Sequence, residues 1–330
     1  MKIGVFLPSF LFPDADRDEP ARLRAFARRA EELGFSSLWI TDHVVTAKRF
    51  YRVAWLDALV TLSHVAAVTE RVELGTSILI APLRQPAILA KEMATLHHLS
   101  GERYIFGVGV GWYGPEFEAC GVHKSQRGAR TDEVLEATLQ LLSEDDVSFD
   151  GRHYSLRDVT VEPHPHALPP TWIGGGRQLE HEASPEGARM SPTVLNRITR
   201  HDGWIARPTC PADLIKVDLD EIEQARELNG LQSKPFTVAH ENFTWLDENR
   251  DPDRVLAEQQ RRFSCVVSDE RPWDYIDAVY MTGTIDAIQQ KIQDRADAGV
   301  EYLMLHTLTS DLEQLELMAK HVLRPFGESR

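Results

Sequence analysis

A (β/α)8 barrel (TIM barrel) with insertions is the α/β fold that this sequence predicts, and three observations carry it. Strand-like and helix-like stretches alternate, with about eight repeats along the chain. The strand-like stretches are apolar with little alternation, as in parallel strands covered on both faces. No Gly/Ser/Pro-rich linker divides the sequence, so residues 1–330 read as a single domain. An open doubly wound sheet would favour a GxGxxG after its first strand. Here that strand runs into Pro8-Ser9-Phe10 instead.

Lys2 to Pro8 is a short buried strand. Asp18 to Leu33 follows as an amphipathic helix, with Leu23, Phe26, Ala27, Ala30 and Leu33 at helical spacing and Gly34 as its stop. Ser37 to Thr41 is the second strand and Trp55 to Thr69 the second helix. The clearest unit is Val72 to Trp112. It holds a β-branched run to Ile80, then Pro82 and Pro86, a helix from Ala87 to Leu99 and a strand from Tyr104 to Val110. That strand carries Gly107 and Gly109 and runs into Gly111, where a ligand can approach the backbone closely. PEFEACGV reads as loop, Arg130 to Leu142 as a helix and Val147 to Val161 as a small β excursion. A Pro/His connector leads to strand five, Thr171 to Ile173, which ends in Gly174-Gly175-Gly176. Arg177 to Arg189 is a charged insertion, after which Ser191-Pro192 fits the N-cap and first residue of a helix. Asp202 to Ala206, Phe236 to Leu246 and Glu301 to His306 are the last strands. Pro211 to Leu228, Asp251 to Val267, Thr284 to Ala298 and Leu312 to Leu323 are the remaining helices.

Composition narrows the function. A formal charge of −15 with no run of Lys or Arg argues against a nucleic-acid footprint. No apolar stretch approaches the ~20 residues of a membrane helix, and the N-terminus has no signal-peptide pattern. Cys120, Cys210 and Cys265 are far apart, which predicts a reducing, cytoplasmic setting without a disulfide framework.

Several residues could carry chemistry. Asp42-His43 lies just past strand two, at what would be the active rim of a barrel. A histidine there can shuttle protons, and a neighbouring carboxylate favours its charged form. Ser77 is a small residue near the end of strand three that leaves room for a planar ligand. Gly107, Gly109 and Gly111 do not open a helix in the frame of a dinucleotide fingerprint. Gly174 to Gly176, with the helix at Ser191, make a plausible phosphate cradle. His240, Glu241 and His306 could join His43 at a metal. Without an HxH on strand one or tight ligand spacing, no metal is expected.

In these residues the chain resembles the bacterial luciferase-like monooxygenase superfamily of flavin- and deazaflavin-dependent oxidoreductases. The resemblance rests on GFSSLWITDHV (34–44), the block from Leu74 to Trp112, RGARTDEVLEA (127–137), PTWIGGG (170–176), DGWI (202–205) and the stretch from Gly283 to His306. It implies that His43 is the catalytic histidine, with Asp42 its acidic neighbour. It places a non-prolyl cis peptide at Ser77-Ile78 beneath the cofactor ring, with Gly109, Val110 and Gly111 beside it. It assigns the cofactor phosphate to Arg130, Gly174, Gly175, Gly176, Ser191 and Thr193. Luciferase itself has a cysteine and an arginine where this chain has Gly109 and Val110, so light emission is not expected. Deazaflavin sugar-phosphate dehydrogenases carry a glutamate acid at the position of Trp112.

The leading expectation is a monooxygenase that uses reduced FMN from a separate flavin reductase, with dioxygen as co-substrate. Phe10, Phe50, Tyr51, Trp112 and Trp245 would hold a small organic substrate. One alternative is a coenzyme F420 (deazaflavin) enzyme transferring a hydride without oxygen. Another is a flavin-binding protein without turnover. Family members are often dimers, so a homodimer is implied; Leu59, Leu62, Val65, Leu89 and Met93 could serve core or interface.

Overall fold

Eight parallel strands close on themselves in this computed structural model, which describes residues 1–11, 18–177, 190–268 and 270–328, except the side chains of Phe10 and Leu11. The strands are β1 (Lys2–Phe6), β2 (Ser37–Ile40), β3 (Glu73–Thr76), β4 (Tyr104–Gly109), β5 (Thr171–Gly175), β6 (Gly203–Ala206), β7 (Thr237–Phe243) and β8 (Tyr302–His306). Each pairs with its chain neighbours. β1 lies between β8 and β2, and Thr171 opposite Phe106 closes β5 onto β4. The expected barrel is therefore the observed one.

Helices follow the strands because their apolar stripes need the outer face of the sheet. α1 (Glu19–Leu33) buries Leu23, Phe26, Ala27 and Ala30 and ends at Gly34. Gly34 takes φ 98°, and its N–H returns to the Ala30 and Glu31 carbonyls. α2 (Ala58–Ala66) and α3 (Pro86–Leu99) send Leu59, Leu62, Val65, Leu89 and Met93 into this core, so those side chains serve packing within the chain. Farther along come α4 (Gly114–Ala119), α5 (Arg127–Leu141), α6 (Pro192–Arg200), α7 (Ala212–Leu228), α8 (Pro252–Val266), α9 (Trp273–Val279), α10 (Ile285–Asp297) and α11 (Leu312–Met318).

Four local expectations need correction. The run from Val72 to Ile80 is not one strand. β3 stops at Thr76, the Ser77-Ile78 peptide is cis as the resemblance implied, and Leu79–Ile80 resumes pairing beside β4. The PEFEACGV loop contains α4, and α9 escaped the sequence reading. Strand seven stops at Phe243. His97 and its neighbour His98, in the last turn of α3, read from sequence as helix surface, but His97 is not on the surface. It is buried, accepts the Tyr104 amide at Nδ1 (3.3 Å) and donates from Nε2 to the Ala167 carbonyl (3.1 Å), tying α3 to the Pro/His connector.

The barrel interior is plugged at its N-terminal end. Trp39 and Trp172 stack at 5.4 Å, and Tyr302 meets both edge-on. Above the other end, α8, α9 and the chain after β7 form a separate apolar cluster around Phe243, Phe263 and Tyr280. No helix among the described residues is long and apolar enough to cross a membrane.

Candidate active site

The candidate side chains gather at the C-terminal ends of β2, β3, β4, β5 and β7, as they do in barrels. His43 follows β2. Its Nδ1 lies 3.0 Å from Oε1 of Glu116, a fully buried carboxylate on α4. The same oxygen accepts the Val44 amide at 2.8 Å. An oxygen held by a backbone N–H is an acceptor, so Nδ1 carries the proton and Nε2 presents its lone pair. Nε2 has no partner among the described residues, and three rings lie around the imidazole. Tyr51, Trp55 and Trp112 sit 5.9, 6.1 and 6.1 Å from the imidazole, centroid to centroid. Glu116 Oε2 is buried and likewise lacks a partner.

Asp42 does not tune His43 by contact. Its carboxylate accepts the Ile80 amide at 2.9 Å and Arg84 Nη2 at 2.7 Å. It therefore pins the end of β2 to the segment after the cis peptide, and Glu116 takes the role expected of it. Glu116 lies 73 positions from His43. Its only local signal was Pro115 opening a short helix whose next residues, Glu116 and Phe117, face inward.

Below the rings lies the floor of the mouth. The Ile78 side chain occupies a slot between Gly109 and Gly174. A Cβ at Gly109 would meet Ile78 Cδ1 at 2.9 Å, and one at Gly174 would meet Cγ2 at 2.5 Å. Ser77 Oγ donates to Glu241, which points inward from β7. Burial pushes the Glu241 carboxyl up to about 7 against the lowering effect of that bond, so it exchanges its proton around neutrality. Val110 and Gly111 continue from β4, Gly111 at φ 69°.

The expected phosphate contacts surround the outer side of this floor. Gly174 and Gly175 end β5, and Gly176 follows at φ 139°, a conformation that excludes most side chains. A Cβ on Gly175 would come 3.1 Å from Val194, so the first turn of α6 packs directly against it. Ser191 is the N-cap of α6 but makes no side-chain cap bond, and Thr193 is exposed beside it. Arg130 on α5 contacts Gln126 and the Tyr154 hydroxyl, each at 3.1 Å, with no carboxylate partner among the described residues. A flat apolar floor, a helix N-terminus and a free guanidinium fit a flavin or deazaflavin phosphate ester. Arg177 donates to Asp218 and Glu221 on α7; the rest of the charged insertion, 178–189, lies outside the described residues.

The expected substrate wall is assembled in part. Phe50 meets Trp112 edge-on at 4.8 Å, and Trp112 is 42% exposed at the lip. Trp245 does not join them. It is buried in the cluster beneath α8, with the Arg262 guanidinium 4.2 Å over its ring. The Phe10 side chain lies outside the described residues, although its backbone pairs with Trp55. Trp55 and Arg271 were missed by sequence reading. The histidines considered for a metal do not converge. His240 faces outward to Arg295 and the Arg207 carbonyl. His306 is sandwiched between Phe6 (3.5 Å) and Phe243 (4.0 Å), and burial holds its pKa well below the usual value. Among the described residues no group could hold a metal ion.

At its C-terminal rim the closed parallel barrel brings together the His43–Glu116 pair, the Gly109/Gly174 floor around Ile78 and the N-terminus of α6. Comparison with known proteins places this chain in a family of oxidoreductases. The profile of the luciferase-like monooxygenase family matches residues 1–311, and the chain belongs to that family. An F420-dependent glucose-6-phosphate dehydrogenase from Kineococcus radiotolerans is 40% identical over 166 residues, a stretch covering 49% of each chain. A protein of the same name from Amycolatopsis mediterranei is 27% identical over 317 residues, covering 91% of this chain and 92% of that one. Among solved structures, monooxygenase RslO1 from Streptomyces bottropensis superposes with a TM-score of 0.81 at 21% identity, over 99% of this chain and 100% of that one. An F420-dependent secondary alcohol dehydrogenase gives 0.78 at 20% identity, over 99% of both chains. At these identities the two structures speak to the fold alone.

Proposed function

We propose that this chain is a coenzyme F420-dependent oxidoreductase acting on a small alcohol–carbonyl pair. The observation that carries the reading is the His43–Glu116 pair, which leaves Nε2 without a partner among the described residues, beside the rings of Tyr51, Trp55 and Trp112. A bound deazaflavin supplies the acceptor or donor of a hydride. His43 Nε2 takes the hydroxyl proton of an alcohol as its carbon gives up hydride, and returns that proton in the reverse direction. Glu116 fixes the imidazole's tautomer and offsets the positive charge it gains. Tyr51, Trp55 and Trp112 keep water from the reacting carbon. Glu241, bonded to Ser77 and with its carboxyl pushed up to about 7, offers a second group that can exchange a proton, since this chain has Trp112 at the position of the sugar-phosphate dehydrogenases' glutamate. Ile78, Gly109 and Gly174 would support the ring, and Arg130 with the α6 N-terminus would hold the phosphate. The names of the two curated relatives above support the deazaflavin over FMN.

The monooxygenase using FMN, dioxygen and a separate reductase is the second reading. The aromatic wall around His43 favours it, because oxygen chemistry needs a dry site. Anaerobic titration with reduced FMN and, separately, with reduced F420 decides between them. Micromolar binding of F420 with weaker FMN binding is expected. FMN binding followed by substrate-coupled oxygen consumption would overturn the deazaflavin reading, and binding of neither cofactor would overturn both.

A further inference from the structure

Arg271 stands in the barrel mouth without a counter-charge. It lies just before α9. Its Nη1 donates to the hydroxyls of Tyr280 (3.0 Å) and Tyr51 (3.4 Å). The guanidinium also lies 5.2 Å from the Tyr51 ring centroid and 5.7 Å from that of Phe50. The neighbouring Arg49 is paired with Glu270, whereas Arg271 has no carboxylate within ion-pair distance among the described residues. Its Nε and Nη2 donors have no hydrogen-bond partner there either.

A half-buried guanidinium cannot shed its proton, and a desolvated charge needs either water or an opposite charge. Aromatic rings occupy much of the space that water would fill. With Nη1 engaged by the two tyrosines, the Nε–Nη2 edge is left, the edge that grips a carboxylate side-on through two parallel bonds. We propose that Arg271, braced by Tyr51 and Tyr280, seats the carboxylate of the substrate. This rests on reading the mouth as the substrate pocket of an oxidoreductase.

Position makes the seat useful. Tyr51 is the shared wall: one side of the mouth carries Arg271, and the His43 ring lies 5.9 Å from the same tyrosine. A small hydroxy or oxo acid with an apolar body would place its carboxylate on Arg271 and its oxidisable carbon beside His43 Nε2. One unpaired guanidinium matches one negative charge, which favours a carboxylate over a phosphate dianion. The same edge could instead take an acidic group of the deazaflavin tail, so the test separates the two.

The test is equilibrium binding of benzoate and of benzamide, its neutral counterpart of the same shape, to the purified protein. Both are followed by tryptophan fluorescence, since Trp55 and Trp112 line the mouth. The wild type should prefer benzoate by ~10- to 100-fold. Arg271→Gln should lose that preference while binding benzamide as before and melting at the same temperature. Arg271→Lys, which keeps the charge but not the two-pronged edge, should recover part of it. F420 affinity should be equal in the wild type and Arg271→Gln. No preference in the wild type, or a preference that survives Arg271→Gln, overturns the proposal. A fall in F420 affinity with benzoate binding intact assigns the residue to the cofactor tail and also overturns it. Because benzoate binding needs no cofactor, failure of the deazaflavin reading registers separately, as absent F420 binding with the benzoate preference retained.

Discussion

At the N-terminal end of the barrel, Tyr302 donates to Glu73 at 2.8 Å, Lys2 reaches the same carboxylate at 3.2 Å and Trp39 donates to Ser37 at 2.5 Å. At the C-terminal end, His43 Nε2, Glu116 Oε2 and the Nε–Nη2 edge of Arg271 have no partner among the described residues. Both ends are lined by aromatic rings, and both carry charged side chains. They differ in whether the polar groups answer to one another. Groups that complete each other hold a structure together. Buried groups left incomplete cost stability and persist where a ligand completes them.

That contrast can be broken by exchanging the expected effects. His43→Ala should lower turnover by about a thousandfold while leaving F420 affinity unchanged. Unchanged turnover would move the chemistry elsewhere in the mouth. Trp39→Ala should do the opposite, costing about 3–5 kcal/mol in denaturant unfolding while each folded molecule keeps its turnover. If activity per folded molecule falls as well, the two ends are coupled and the contrast fails. Glu116→Gln should reduce kcat ~10- to 100-fold with little change in KM, because the binding surfaces remain. Glu116→Asp should restore part of the rate only if the carboxylate still reaches Nδ1.

The smallest effect concerns Glu241. Its carboxyl is pushed up to about 7, so it is protonated below that pH and ionised above it. A raised carboxyl pKa in the folded chain means that stability falls as pH rises from about 4.5 towards 7, since folding then opposes ionisation. Glu241→Gln should flatten that fall in melting temperature and remove any limb near pH 7 from the rate profile. An unchanged pair of profiles would mean that Glu241 titrates as an ordinary surface acid.

The sequence made the barrel legible because its periodicities are local. Apolar runs such as Tyr104 to Val110 and helix stripes such as Leu23, Phe26 and Ala30 each declare themselves within a few residues. His43 was legible for the same reason, as a residue just past a strand end. Its partner was not. Asp42 is adjacent in the chain, yet successive residues leaving a strand point to opposite sides, and Asp42 turned to Ile80 and Arg84. Glu116 reaches His43 only because β4 and α4 fold back over β2. Arg271 carried no signal at all, since what marks it is the absence of a nearby carboxylate, a property of the folded surroundings. Trp245 failed as a pocket residue because the cluster under α8 covers it.

The most direct test of the His43–Glu116 assignment needs no substrate. Nitrogen NMR of the ¹⁵N-histidine-labelled protein above neutral pH, with His43→Gln to identify the signal, reports which ring nitrogen carries the proton. The geometry requires Nδ1–H with an unprotonated Nε2, and a loss of that preference in Glu116→Gln. A His43 protonated on Nε2 in the wild type would leave no base at the mouth and would contradict the account.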